Sequence, residues 1–202
     1  MNPAIFTRTV TRANAVEPPG RVRLGHHVRI SHEGRSILGV FACTINLRER
    51  EQLIAWKTTP VGGGFDPIPM ARYATALERL VGMMTGRCFP PRTIITTPPQ
   101  GASSPGPYAA SAIAHEVGAR LGLEVIESLD RTDAKSRHGP WSSRAQTPYR
   151  VRDLTERPGL VVIVDDLITS RTTMRLAIEA LRAAGVPCIG VAYSAPPSES
   201  RR

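Results

Sequence analysis

The segment VVIVDDLITSRTT, from Val161 to Thr173, constrains the fold of this chain more than any other part of the sequence. Its first four residues are apolar and β-branched without alternation, which is typical of a strand covered on both faces of a parallel sheet. Asp165 and Asp166 come next, at the carboxyl end of that strand, where open α/β sheets bind their ligands. Apolar residues at helical spacing start at Met174. The segment therefore predicts a buried strand, a polar loop and a helix.

The loop between the predicted strand and helix is rich in hydroxyl groups. It consists of Thr169, Ser170, Arg171, Thr172 and Thr173. At the start of a helix the first backbone N–H groups have no partner within the helix and lie at the positive end of its dipole. Such a terminus attracts phosphate. The loop and the acidic pair together therefore predict a site for a sugar phosphate.

This arrangement resembles the phosphoribosyl pyrophosphate (PRPP) signature of the type I phosphoribosyltransferases, which has an apolar strand, two acids, two further residues and a Thr/Ser-rich loop. The resemblance implies that Asp165 and Asp166 are the catalytic pair and hold the ribose 2′- and 3′-hydroxyls. It also implies that the loop from Thr169 to Thr173 binds the 5′-phosphate. The expected reaction transfers the phosphoribosyl group to an unidentified, nucleobase-like acceptor and releases pyrophosphate.

Arg171 departs from that signature, because the family usually has glycine at this position and arginine adopts a positive φ less readily. The guanidinium group is suited to a forked contact with phosphate. Alternatively, the same side chain would fill the pocket and abolish catalysis. Three hypotheses therefore stay open. The first is a transferase, and the second is a catalytically silent regulator that binds PRPP or a nucleotide and is associated with nucleic acid. The third is a different phosphate or nucleotide binder on the same fold.

Two other nucleotide-binding classes fit the sequence less well. A P-loop NTPase requires G-x-x-x-x-G-K-[ST], and neither of the two lysines of the chain, Lys57 and Lys135, follows a glycine. A dinucleotide-binding fold requires G-x-G-x-x-G after a strand, and the glycine cluster from Gly62 to Gly64 follows a proline turn. The phosphoribosyltransferase-like interpretation is therefore preferred.

Alternating strand and helix patterns along the rest of the chain predict an α/β fold with a parallel, Rossmann-like sheet. An N-terminal hairpin and a helix are expected to form a hood over it. The predicted helices run from Asn46 to Lys57, from Asp66 to about Gly86 and from about Pro107 to Leu121. The predicted strands are Arg21–Ile30 and Arg35–Ile45 around a turn at 31–34, then Thr93–Thr97, Glu124–Leu129 and Cys188–Tyr193. The polar stretch from Asp130 to Pro158 is expected to be mobile.

The order of these parts is similar to that of the ComF-like phosphoribosyltransferases, a group related to bacterial competence proteins. The resemblance covers about residues 50 to 195, without the N-terminal cysteine-rich zinc element often found in that group. The matching segments are Leu53 to Lys57, the helix after Asp66, Ile94 to Pro98, Tyr108 to Leu121, Arg131 to Arg150 and the signature itself. This resemblance implies the same PRPP chemistry.

Two further segments acquire roles from the resemblance. The loop Thr97, Pro98, Pro99, Gln100 and Gly101 would meet the pyrophosphate leaving group, although it could equally be an ordinary proline turn. The residues that match the basic flexible loop of the family are Arg131, Lys135, Arg137 and Arg144, for which a solvated charge run is the alternative. Mg²⁺ is expected as a cofactor bridging PRPP oxygens, with no direct protein ligand.

Composition limits the organisation of the chain. At 202 residues and 41% hydrophobic content, we expect one domain over residues 21–202 after a flexible arm at 1–20. Within it, 21–60 would form the hood element and 66–195 the core. Because the sequence shows neither a membrane span nor a signal peptide, we expect a cytoplasmic protein, and a homodimer is the usual state at this size.

The net charge of +9 suggests an anionic partner. Basic surface attracts nucleic acid through counterion release, but the arginines are scattered and aromatic residues make up only 5% of the chain. The same charge suits a small polyanion such as PRPP. A weak nucleic-acid contact therefore stays an accessory expectation beside a small-molecule substrate.

Overall fold

The computed structural model describes residues 25–28, 30–32, 35–37, 39–59, 63–100, 108–131, 149–152, 156–169 and 171–196. These residues contain ten strands and four helices. The helices are α1 (Leu47–Thr58), α2 (Pro67–Thr85), α3 (Ala109–Leu121) and α4 (Thr172–Ala183). The strands are β1 (His26–His27), β2 (Ile30–His32), β3 (Arg35–Ile37), β4 (Val40–Thr44), β5 (Thr93–Thr96), β6 (Glu124–Val125), β7 (Leu129–Arg131), β8 (Tyr149–Val151), β9 (Leu160–Leu167) and β10 (Cys188–Ser194).

The main sheet has six strands in the order β1-β4-β10-β9-β5-β6. The edge strand β1 runs antiparallel to β4, and all the other neighbouring pairs are parallel. All eight residues of β9 are buried. The chain is therefore an α/β protein with a mostly parallel central sheet, as the sequence predicted.

Both faces of β9 are covered, which explains why its sequence does not alternate. Val162 and Val164 pack in a cluster with residues of α1, α2 and α3. Val161 and Ile163 pack in a second cluster with residues of α4, β7 and β8. The chain thus has helices on opposite faces of one sheet.

Capping residues define the ends of α1 and α2, the helices that pack against Val162 and Val164. Asn46 caps α1 by accepting a hydrogen bond from the Arg48 backbone N–H at 2.9 Å. Asp66 caps α2 in the same way, with Pro67 as the first helical residue. Gly86 ends α2 in the left-handed conformation, with φ of 61°. The observed ends of α1 and α2 confirm the predicted ones, except that α1 ends at Thr58, one residue later than predicted.

The N-terminal hairpin differs from its prediction in register and position. His32 pairs with Arg35, so residues 31 and 32 belong to β2 and not to the turn. The outer part of the hairpin, β1 and β4, joins the main sheet through β4, which pairs in parallel with β10. Gly39, with φ of 84°, stands between the two ladders of the hairpin. The hairpin is therefore continuous with the core sheet.

The region after α3 also differs from its prediction. The expected strand over 124–129 ends at Val125, because the chain leaves the sheet edge there. The Ser128 backbone N–H then donates a hydrogen bond to the Thr96 hydroxyl at 3.2 Å. Beyond it, β7 pairs antiparallel with β8 in a separate two-stranded ladder. Asp130 and Arg131, the first residues of the stretch that we expected to be mobile, thus pair with Arg150 and Tyr149 of the same stretch.

Among the described residues, none of the helices combines the length and apolar character that a membrane crossing requires.

A substitution at Gly118 can test how closely α3 approaches the sheet. A Cβ atom at this position would lie 2.6 Å from Val125 Cγ2 and 2.8 Å from the Leu123 backbone oxygen. We expect Gly118→Ala to lower the free energy of unfolding by about 1–3 kcal/mol through overpacking, measured by urea denaturation. The control is Gly82→Ala in α2, where the nearest contact is the flexible Arg87 side chain at 3.3 Å. Equal effects of the two substitutions would contradict the close approach.

Candidate functional site

The candidate site lies at the carboxyl ends of β5 and β9, which are neighbours in the sheet. From β5 the chain passes through α3 to β6 on one side, and from β9 it passes through α4 to β10 on the other. The two helices pack on opposite faces of the sheet. The connections therefore diverge at this point, which is where open α/β sheets form their ligand crevice.

Asp165 and Asp166 lie inside the last part of β9, whereas the sequence placed them just after the strand. Pairing with β10 continues to Leu167 opposite Ser194, so the strand carries both acids within its ladder. Both residues are buried, at 6% and 4% exposure. The Asp166 backbone N–H donates to Asp165 Oδ1 at 2.9 Å. Two carboxyl groups are thus held at the floor of the crevice with little access to water.

Burial determines the protonation of the acidic pair. Desolvation raises the pKa of Asp165 to about 8, with further contributions from the charge of Asp166 and a hydrogen bond between the two side chains, while Lys57 opposes the shift. Asp165 therefore stays protonated to higher pH than an ordinary carboxyl group. With Asp165 protonated, the pair carries less negative charge than two ionised carboxylates, which makes the crevice more tolerant of an anionic ligand.

Lys57 provides the counter-charge for Asp166. Its Nζ lies 2.7 Å from Asp166 Oδ2, although the two residues are 109 positions apart in the sequence. The family resemblance included Lys57 in a matching segment, but we assigned it no role in the site. The available signal was its rarity, because it is one of two lysines among 26 basic residues.

The predicted phosphate loop has a backbone conformation that glycine would normally provide. Arg171 has φ of 61° and ψ of −11° and occupies the N-cap position of α4. Its left-handed conformation is uncommon for a residue with a side chain. Arg171 and Thr173 line a pocket together with Asp165, Leu167, Ile168, Thr169 and Met174. The structure therefore brings four of the predicted residues, Asp165, Thr169, Arg171 and Thr173, into one pocket.

The remaining members of the predicted loop differ in how they are placed. Thr172 and Thr173 are the first two residues of α4, which has no side-chain cap among the described residues. Thr169 is exposed in the turn between β9 and α4. Ser170 lies outside the described residues. The amino end of α4, where backbone N–H groups attract anions, thus opens beside the acidic pair.

The β7–β8 ladder forms a wall next to α4. The guanidinium carbon of Arg131 lies 5.9 Å from the centre of the Tyr149 ring. Burial raises the pKa of Tyr149, whose hydroxyl is hydrogen-bonded to Thr173 and Arg131. Of the four basic residues predicted for the flexible loop, Arg131 is thereby linked to the phosphate loop. The other three, Lys135, Arg137 and Arg144, lie outside the described residues.

Tyr108 is a second aromatic residue that the sequence did not indicate as part of the site. It precedes α3 at the N-cap position, and its pKa is raised by burial and by the charges of Asp165 and Asp166. Its hydroxyl group therefore lies near the acidic pair. Only the position of Tyr108 at the start of a helix after β5 could have suggested this placement.

The predicted pyrophosphate loop starts at the same edge of the sheet. Thr97 follows the end of β5, Pro98 is buried and Gln100 is exposed, with Pro99 between them half-buried. Gly101 lies outside the described residues. The described part of this loop therefore leaves β5 next to the strand that carries the acidic pair.

No family model matches this chain, and no curated protein matches it. Among solved structures, UMP synthase from Leishmania donovani is similar over 83% of this chain and 28% of its own chain, with 20% sequence identity and a TM-score of 0.37. The chain thus spans less than a third of that structure. The α/β assignment rests on the strand order and on the placement of the helices.

The raised pKa of Asp165 predicts a specific pH dependence of stability. The folded protein holds a proton that the unfolded chain releases above about pH 4, so the free energy of unfolding falls as the pH rises towards the folded pKa of about 8. The slope for one proton is up to about 1.4 kcal/mol per pH unit. Asp165→Asn removes this loss, and its stability relative to the wild type should increase from about pH 5 to about pH 8 in urea denaturation.

The matched control is Asp130→Asn. Hydrogen bonding to Arg152 lowers the pKa of this carboxyl group below its ordinary value, so it titrates below the same pH range. Its difference from the wild type should stay constant over that range. A constant difference for Asp165→Asn as well would show that Asp165 is ionised in the folded protein.

Proposed function

We propose that this protein binds PRPP with Mg²⁺ and transfers the phosphoribosyl group to an acceptor with release of pyrophosphate. One observation supports this proposal most. A buried acidic pair lies next to the amino end of α4, whose N-cap residue has a left-handed backbone conformation, at the point where the sheet connections diverge. Carboxyl oxygen atoms can accept hydrogen bonds from sugar hydroxyls, and backbone N–H groups at a helix N-terminus can bind a phosphate. Both lie at the carboxyl end of β9.

In this proposal the 5′-phosphate binds at the amino end of α4. Backbone N–H groups of the first turn, the Thr173 hydroxyl and the Arg171 guanidinium would contact its oxygen atoms. Arg171 lines the pocket that also contains Asp165. Phosphate and ribose sites would then lie side by side, as a phosphorylated pentose requires.

The acidic pair would hold the ribose hydroxyls. A protonated Asp165 both donates and accepts hydrogen bonds, which suits a hydroxyl group. Asp166 is already paired with Lys57 at 2.7 Å, and we therefore assign Mg²⁺ to the oxygen atoms of PRPP. When bound, Mg²⁺ would neutralise the charge that develops on the leaving pyrophosphate.

The reaction would break the bond between ribose C1 and the pyrophosphate oxygen and form a bond from C1 to the acceptor nucleophile. The electron pair of the broken bond leaves with pyrophosphate. The task of the protein is to position the two reactants and to stabilise charge in a site that excludes water. Tyr108 and Tyr149 would limit water access to the acidic pair, because Tyr149 is buried, Tyr108 is half-buried, and the charge of Asp165 acts on both hydroxyl groups.

A catalytically silent PRPP-binding regulator is the second candidate. It is favoured by the position of Arg171, which lines the same pocket that the phosphate would enter. Both candidates require PRPP binding. Release of pyrophosphate in the presence of acceptor bases separates them.

The first test is calorimetric titration of PRPP with Mg²⁺ into the wild type and into Asp165→Asn/Asp166→Asn. Micromolar binding is expected for the wild type, with a loss of at least about 100-fold in the variant, because two hydrogen-bonding partners of the ribose are altered. The control is Glu116→Gln/Glu124→Gln, which removes two carboxylates from α3 and β6. Absence of PRPP binding to the wild type would refute the proposal.

The second test is Arg171→Gly, which removes the guanidinium while keeping a conformation that glycine adopts freely. We expect PRPP affinity to fall by about 10- to 100-fold, the usual effect of losing hydrogen bonds to a charged group. The control is Arg92→Gly, because Arg92 also has a positive φ, of 57°, and precedes β5 at the opposite end of the sheet. Unchanged affinity together with a gain in turnover would show that Arg171 blocks the site.

A further inference from the structure

Lys57 approaches the acidic pair from the face of the sheet opposite to the phosphate loop. It lies in the last turn of α1, whose buried residues pack with Val162 and Val164. The phosphate loop leads instead into α4, which packs on the other face. The crevice thus has two cationic groups, Arg171 on one side of β9 and Lys57 on the other.

The backbone of Lys57 is firmly anchored. The preceding residue, Trp56, contacts Phe65 and Tyr73 with ring centres 4.7 and 5.1 Å apart. The Trp56 indole N–H also donates to the Asp66 backbone oxygen at 3.1 Å. The end of α1 therefore holds Lys57 at a defined distance from β9 without a contribution from its own side chain.

The ammonium group of Lys57 has more N–H donors than the hydrogen bonds it makes to described residues. An ammonium group has three N–H bonds, and one hydrogen bond, to Asp166, is made among the described residues. The side chain of Lys57 is 32% exposed, whereas that of Asp166 is 5% exposed. The Lys57 side chain is therefore partly accessible to a ligand while its ion pair with Asp166 stays intact.

The ion pair also addresses an electrostatic conflict in the proposed function. A phosphate group placed beside an ionised, buried carboxylate is repelled strongly, since screening by water is weak there. Lys57 neutralises Asp166 at 2.7 Å and still presents positive charge to the crevice. An anionic group on this side of the acidic pair consequently meets a cation before it meets the carboxylate.

We propose that Lys57 is a substrate-binding residue whose free N–H bonds donate to the anionic group on ribose C1, while Asp166 orients its ammonium group. This inference rests on the proposed function and adds a specificity determinant to it. With Arg171 and Lys57 on opposite sides of β9, the crevice selects sugars that carry an anionic group at both ends. A sugar monophosphate would use one of the two cations only.

The test compares Lys57→Met with the wild type in calorimetric titrations of three probes with Mg²⁺. The probes are PRPP, ribose 5-phosphate and inorganic pyrophosphate. We expect the affinity for PRPP and pyrophosphate to fall by about 10- to 100-fold, with ribose 5-phosphate changed by less than about 3-fold. The matched control is Arg72→Met, which removes an exposed cation from the neighbouring helix α2 and should leave all three affinities unchanged.

Two further variants distinguish binding from support of Asp166. Lys57→Arg keeps the charge and should recover part of the PRPP affinity, whereas Lys57→Gln keeps a donor for Asp166 without the charge and should resemble Lys57→Met. Lys57→Gln also serves as the test if Lys57→Met does not fold, as judged by its thermal melting curve. Equal losses for PRPP and ribose 5-phosphate would mean that Lys57 only positions Asp166, and would overturn the inference.

The outcomes separate this inference from the proposed function. If the wild type binds PRPP and Lys57→Met binds it equally well, the assignment of Lys57 is wrong and the proposed function stands. If the wild type binds none of the three probes, the proposed function itself is wrong. A loss confined to the two probes that contain pyrophosphate supports both.

Discussion

The complete burial of β9 is the constraint on which the rest of the structure depends. A strand covered on both faces requires helices on both sides of the sheet, and α3 and α4 provide them through connections that diverge from β5 and β9. That divergence leaves a crevice at the carboxyl ends of the two strands. The same burial removes water from the two carboxyl groups at the end of β9, so the architecture and the electrostatics of the site have one origin.

Two arrangements offset the desolvation of these acids. Burial and the charge of Asp166 raise the pKa of Asp165, which favours the neutral form of this carboxyl group. Asp166 is paired with Lys57, whose ammonium group reaches it from α1. A buried carboxylate without a partner would be strongly destabilising, so the two arrangements make the pair compatible with folding. They also lower the negative charge of the crevice, which a phosphorylated ligand requires.

Arg171 combines a backbone conformation that is typical of glycine with a charged side chain. Its backbone lies in the left-handed region, with φ of 61°. Packing of α4 against β9 and β10, through Met174, Ala177 and Ile178, sets the start of the helix. The Arg171 backbone adopts the conformation that this start requires. A residue with a guanidinium group therefore stands at the helix terminus.

Much of the fold follows from the sequence alone, since strand burial, helix spacing and caps are local signals. The run VVIVDD, the caps Asn46 and Asp66 and the glycine after α2 correctly placed β9, α1 and α2. The sequence could also predict that Asp165, Thr169, Arg171 and Thr173 share a pocket, because these residues are close along the chain. The positions of Lys57, Tyr108 and Tyr149 beside the acidic pair were decided only by the tertiary structure. Each meets the acidic pair across a long sequence separation, 109 residues for Lys57, and periodicity carries no information about which distant side chains packing brings together.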